Sequence, residues 1–122
     1  MSPRRALRLA LLAGGLAAAL LLGRRWPREQ TVHYVLGDGA PRVQEVDARW
    51  ADGAGDEWTR EATFRYPAGR APRVVTHEPR LPDGDYTVEI DIVAERDRST
   101  VRRRVTLGGG STSIELAQAV PR

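Results

Sequence analysis

Two histidines, four serines and two groups of carboxylates are the side chains of this 122-residue sequence whose types could support chemistry. His33 and His77 stand far apart in the chain. A transition-metal site would need them side by side with a carboxylate such as Glu78 or Asp47, and nothing in their spacing requires that. Ser2, Ser99, Ser111 and Ser113 have no histidine in their own neighbourhood, so a serine nucleophile with an imidazole base is not indicated. Asp52, Asp56 and Glu57 lie on a glycine-rich stretch, and Asp83 and Asp85 flank Gly84 on another. Oxygen-rich loops of this kind can take calcium, but the alternation of an EF-hand is missing and solvated turns are the plainer reading. Paired acids for glycoside hydrolysis need a cleft between opposed carboxylates, which a small filled domain seldom offers. The expectation is a non-enzyme with no catalytic, metal-binding or cofactor-binding residue and no cofactor.

The elements that position these groups are strands. From Thr31 onward the apolar pattern has period two, broken by clusters of Gly, Pro and Asp. Strands are expected at 31–36, 43–50, 58–66, 73–78, 85–95, 101–107 and 112–117. In the fifth, Tyr86, Val88, Ile90, Ile92 and Ala94 point one way, while Thr87, Glu89, Asp91 and Glu95 point the other. A hairpin across Arg96–Ser99 would set Ile90 opposite Val105, Val88 opposite Leu107 and Asp91 opposite Arg104. Arg103 would then face inward, a cost unless it lies at an edge with its guanidinium in water. Past Gly108-Gly109-Gly110, residues Thr112, Ile114 and Leu116 can oppose the same strand in a second hairpin, giving a meander. Trp50 with Val46 and Ala48, and Trp58 with Ala62, Phe64 and Tyr66, supply inward faces for a second sheet. The fold class expected is all-β, a small antiparallel two-sheet sandwich of about seven strands.

Ahead of the strands, an apolar run from Leu9 to Gly23 lies between Arg4, Arg5 and Arg8 on one side and Arg24, Arg25 and Arg28 on the other. Fifteen residues of helix span about 22 Å, short of the roughly 30 Å hydrocarbon core but long enough for a secretory signal. Two readings stay open. An uncleaved signal anchor gains reach because Arg8 and Arg24 can snorkel, with Arg25 and Trp26 completing the membrane flank. A cleaved signal would use Ala17-Ala18-Ala19, which leaves three leucines on the mature terminus. The domain plan is therefore a signal anchor or signal peptide over 1–26, a polar tether over 27–30 and a sandwich over 31–122. The protein is expected in a bacterial inner membrane, single-pass, with its C-terminal domain in the periplasm, or released there after cleavage.

Charge partitions along the chain. Residues 1–30 hold six arginines and one glutamate, a surplus of five, whereas the remainder holds thirteen arginines against fifteen carboxylates. The basicity belongs to the N-terminal segment, so no nucleic-acid partner is expected. All nineteen basic residues are arginine, read as codon bias, and the absence of cysteine excludes disulfides, thiol catalysis and thiolate metal sites. The dense basic cluster of the folded part is Arg96, Arg98, Arg102, Arg103 and Arg104. It reads either as an interaction patch, formed by Arg96, Arg98, Arg102 and Arg104, for anionic headgroups or an acidic partner, or as cross-strand pairing with Glu89, Asp91 and Glu95 on a wet face.

Leu81-Pro82-Asp83-Gly84-Asp85-Tyr86 resembles the L-x-x-G-x-Y entry to a late strand in immunoglobulin-like and transthyretin-like sandwiches, including carboxypeptidase regulatory-like domains. The resemblance spans about residues 81–116. It implies a structural corner of Leu81, Gly84 and Tyr86, in which the tyrosine hydroxyl bonds a backbone group a few residues upstream. It also implies a spacer, adhesion module or docking surface. The function expected is a membrane-tethered, non-catalytic interaction or accessory module with an envelope protein partner. The alternative is a cleaved soluble domain binding calcium or a glycan through its acidic loops.

Overall fold

The computed structural model describes residues 27–53 and 57–122, together with Arg5 and Arg8. The expected N-terminal helix, its flanks Arg24, Arg25 and Trp26, and Asp56 of the acidic loop lie outside the described residues. Among the described residues no helix is long and apolar enough to cross a membrane.

Nine strands follow in chain order: β1 (Arg28–Glu29), β2 (Thr31–Val35), β3 (Val43–Asp52), β4 (Trp58–Arg65), β5 (Val74–His77), β6 (Arg80–Leu81), β7 (Gly84–Ala94), β8 (Arg98–Leu107) and β9 (Ser111–Glu115). Seven match the expected strands, and β1 and β6 are a two-residue pair that period-two patterning cannot register. The strands make a four-stranded sheet ordered β4-β3-β7-β8, a three-stranded sheet ordered β5-β2-β9, and the β1-β6 pair. The core lies between the two larger sheets, with Trp50, Ile90 and Ile92 from one and Tyr34, Val32 and Ile114 from the other.

Alternation places this core. On β3, Val46, Ala48 and Trp50 are fully buried, and on β7 so are Val88, Ile90 and Ile92, as the period of two requires. Each valine or isoleucine among them, withdrawn from water, contributes about 1.5–3 kcal/mol.

Four expectations need correction. First, the sandwich is not wholly antiparallel, because β9 pairs with β2 in parallel, Val35 beside Glu115. The expected meander is absent: the glycine turn takes the chain across to the other sheet instead of folding β9 onto β8. Second, β3 and β4 do not found a second sheet but extend the sheet of β7 and β8. Third, the β7–β8 register is displaced by four residues from the expected one, with Ile90 opposite Val101 and Asp91 opposite Thr100. The Ala94 N–H donates to the Asp97 carbonyl at 2.9 Å and closes a tighter hairpin than the one expected. Fourth, Trp58 faces outward. The register breaks between Trp50 and Ala51, so that Trp50 opposes Arg60 while Ala51 opposes Trp58. That bulge turns the indole to the outer face.

The corner is built as the resemblance implies. The Tyr86 hydroxyl donates to the Pro82 carbonyl at 2.5 Å, Leu81 and Tyr86 are buried, and Gly84 holds a φ of 155° that other residues rarely adopt. Tyr86→Phe is expected to lower unfolding free energy by about 1 kcal/mol, the worth of one hydrogen bond to a carbonyl that keeps partial access to water. Urea titration of both proteins reads that difference.

Residues Arg28 to Gln30 of the expected tether are bonded to the sandwich. Gln30 is fully buried, and its amide donates to the Leu81 carbonyl at 3.0 Å and to Asp83 Oδ1 at 2.9 Å. Its carbonyl oxygen accepts the Gly109 N–H at 2.7 Å. Arg28 bridges the same place, donating to Asp83 and, at 2.8 Å, to the Gly108 carbonyl. A β-carbon on Gly109 would fall 2.2 Å from the Arg28 guanidinium, and its φ of 80° is left-handed, so glycine suits this turn twice over.

Candidate functional site

The outer face of the four-stranded sheet is laid down in rows by the register. Arg65, Glu45 and Val93 form one; Thr63, Asp47, Asp91 and Thr100 the next; Glu61, Arg49, Glu89 and Arg102 the third. Arg65 Nε lies 2.6 Å from Glu45 Oε1, and Arg49 pairs with Glu89. The Arg65 hydrogen bond holds the Glu45 carboxyl below its usual range. Its neighbour Asp47 is pushed upward, first by burial and then by Glu45 and Asp91. Thr100 donates to Asp91 at 2.6 Å, and Thr106 to Asp85 at 2.6 Å. Trp58 closes the third row from above: the Arg49 guanidinium carbon lies 4.9 Å from its ring centroid and that of Arg102 at 6.0 Å.

The arginine patch is assembled on β8, the edge strand of this sheet. Arg98, Arg102 and Arg104 share the outer face, each exposed, while Arg96 sits in the hairpin turn beside them. Among the described residues none of these four makes an ion pair, because Arg49 and not Arg102 takes Glu89, and Thr100 takes Asp91. On the same face Arg49 pairs with Glu89 and Arg65 with Glu45, and Arg102 stands across from Glu89 in the register. Arg103 has the core-side parity, opposite Val88, yet is exposed. It escapes because β8 is an edge, as the sequence required of it.

A cleft of about 520 Å³ opens on the core side of β8, between it and β9, lined by Arg103, Val105, Ser113, Ile114, Glu115 and Gln118 among others. β8 and β9 end their respective sheets on this side of the sandwich, so the cleft runs between two free edges.

The other residues weighed in the sequence stand apart. His33 and His77 are on neighbouring strands but opposite faces: His33 meets Thr76 at the surface, at 3.3 Å, whereas His77 turns inward to the Tyr34 hydroxyl at 2.9 Å. Ser99 donates to the Ala119 carbonyl at 2.5 Å. Asp83 accepts from Arg28 and Gln30, and its carboxyl is lowered by the Gln30 bond first and Arg28 second. Among the described residues no three histidines or carboxylates converge as a metal site would need.

The His77 contact makes stability depend on pH. The Trp50 indole N–H donates to the Tyr34 oxygen at 3.2 Å, and the Tyr34 O–H is left to donate to His77 Nδ1, which must be unprotonated. Burial lowers the His77 value below its ordinary one and raises that of Tyr34. The unfolded chain thus binds the imidazole proton more tightly than the folded one. Stability from this site is complete above about pH 6.5, the unfolded value, and falls with acidification through the interval below it until the folded value is passed. Thermal melts in that interval are expected to show a decline that His77→Gln flattens.

No family model matches the chain, and no solved structure matches it. Among curated proteins, the beta-galactosidase 2 of Enterobacter cloacae is 32% identical to it over 89 residues. The aligned stretch takes in 70% of this chain and 8% of that protein, so the chain spans a small fraction of the relative's length.

Proposed function

We propose that this domain is a non-catalytic interaction or accessory module, held at the outer face of a bacterial inner membrane by residues 1–26 and facing the periplasm. The observation that carries the reading is the β8 edge, an exposed strand with Arg98, Arg102 and Arg104 on one face and, among the described residues, no carboxylate in an ion pair with them. Unpaired like charges on a sheet edge cost solvation nothing and steer an acidic partner. The tyrosine corner and the two facing sheets support the resemblance to immunoglobulin-like and transthyretin-like sandwiches, which implies a docking surface. The arginine-flanked apolar run supports the tether, and the short, locked junction at Arg28 supports a domain carried close to the membrane.

Crosslinking in intact cells, followed by purification of the chain from the membrane fraction and mass spectrometry, tests both halves. An envelope protein enriched with the chain and an intact mass retaining Met1 to Gly23 are the expected results. A mass that begins near Ala19 would sink the tether.

The second reading is a released domain that binds a glycan. Its support is the stretch shared with a protein whose name records action on β-galactosides. The calcium form of this reading is weakened by the fold, since Asp83 is bound to Arg28 and Gln30, and Asp85 to Thr106. A melting temperature raised by a β-galactoside would favour the second reading over the first.

A further inference from the structure

The backbone of β8 is half used. Because the Ala94 N–H meets the Asp97 carbonyl, the odd-numbered residues of the strand turn their backbone groups to β7. Arg98, Thr100, Arg102, Arg104 and Thr106 therefore turn theirs outward. Of these, the Arg98 N–H is taken by Asp97 Oδ1 at 2.8 Å and the Arg102 carbonyl by Arg103 Nη1 at 3.1 Å. Thr100, Arg104 and Thr106 keep both backbone groups without a partner among the described residues.

These donors and acceptors lie between two surfaces. On the outer side stand the guanidinium groups of Arg98, Arg102 and Arg104; on the inner side the cleft offers Val105 and Ile114 within a rim of Arg103, Ser113, Glu115 and Gln118. A strand laid along the edge would send alternate side chains to the two sides in step with β8 itself.

We propose that the β8 edge binds an extended acidic segment of a partner protein by strand addition. Carboxylates at every second position of that segment lie over Arg98, Arg102 and Arg104, and the residues between them are small and apolar and enter the cleft beside Val105 and Ile114. This rests on the interaction-module reading and names its partner's chemistry. A second copy of the chain does not fit. Pairing β8 with its own symmetry mate sets arginine against arginine, and the opposite edge, β4, carries Arg60 and Arg65 beside the single acid Glu61, with none of the alternating carboxylates the arginines call for. A plane of headgroups would meet the arginines but could neither continue the backbone ladder nor enter the cleft.

The probe is a peptide of alternating glutamate and valine of about nine residues, long enough to run from Arg98 to Thr106 at about 3.3 Å per residue. It is added to the full chain in a neutral detergent, beside a peptide of equal composition with its glutamates in one block, and beside phosphatidylglycerol vesicles. The alternating peptide is expected to bind about tenfold tighter than the blocked one and to protect the amides of Thr100, Arg104 and Thr106 from hydrogen exchange. Neutralisation in R98Q/R102Q/R104Q, which sets no like charge against Glu89, is expected to weaken it by at least about tenfold, while circular dichroism and a cooperative melt show the domain still folded. Equal affinity for the two peptides, protection elsewhere in the domain, or binding to the vesicles alone overturns the proposal. A cellular crosslink mapping to another surface removes this edge and keeps the module reading; no partner at any surface removes both.

Discussion

Replacing Trp50 by alanine is expected to strip the domain of most of its stability and leave a measurable unfolded fraction at room temperature. The indole is fully buried, stands edge-on to Tyr86 with centroids 6.1 Å apart, and donates its N–H to Tyr34 at 3.2 Å. Large-to-small replacement of such a side chain costs about 3–5 kcal/mol, through lost transfer energy and the cavity left behind. Total stability of small domains starts at about 5 kcal/mol, so most of it would be spent at one position. Trp50→Phe keeps much of the volume and gives up the hydrogen bond, and a drop of about 1–2 kcal/mol is expected. Circular dichroism across a urea series separates the two. An alanine variant that melts within a few degrees of its parent would mean that Trp50 does not fill the centre of the core.

The second large effect is expected at Gln30. Its removal as Gln30→Leu strands the Leu81 carbonyl in a buried place and leaves the half-buried Gly109 N–H without its acceptor, at a cost of about 1–3 kcal/mol. Gln30→Glu is expected to be no milder, because a carboxylate cannot donate to Leu81 and would face Asp83. Hydrogen exchange should show the loss first at the Gly108–Gly110 turn and at β1 and β6. A Gln30→Leu domain as stable as its parent would show that solvent reaches these groups.

Period-two alternation shows which residues face the core of β3 and β7, because only one parity keeps Glu89 and Asp91 in water while burying Ile90 and Ile92. It is silent on slips of an even number of residues. Val101 and Val105 have the same parity, so the β7–β8 pairing was legible as to face and not as to offset. The destination of β9 was hidden for the same reason: Ile114 and Leu116 satisfy alternation in either sheet. Trp58 was misplaced because the bulge beside it leaves no mark in composition. Gln30 gave no signal, since a lone amide in a polar stretch becomes a keystone only through partners at Leu81, Asp83 and Gly109, all distant in sequence. The corner at Leu81, Gly84 and Tyr86 was legible because its geometry is local. The arginine patch was legible as a cluster, but the strand's position at an edge, which leaves those charges unpaired, belongs to topology.

The parallel pairing of β2 with β9 also fixes when the domain can come into being. Thr31 sits beside Ser111, so the central strand of the smaller sheet waits for a neighbour encoded eighty positions later. β2 can pair with β5 earlier, but loop closure over eighty positions must be completed before the β2–β9 pairing is rewarded by contact. A nascent chain that has reached Leu107 holds a finished four-stranded sheet whose apolar face, with Trp50, Ile90 and Ile92, has only part of its cover. Docking of β9 through Glu115 thus completes the closure, and until it docks the half-built sandwich is the species most exposed to association through its apolar face.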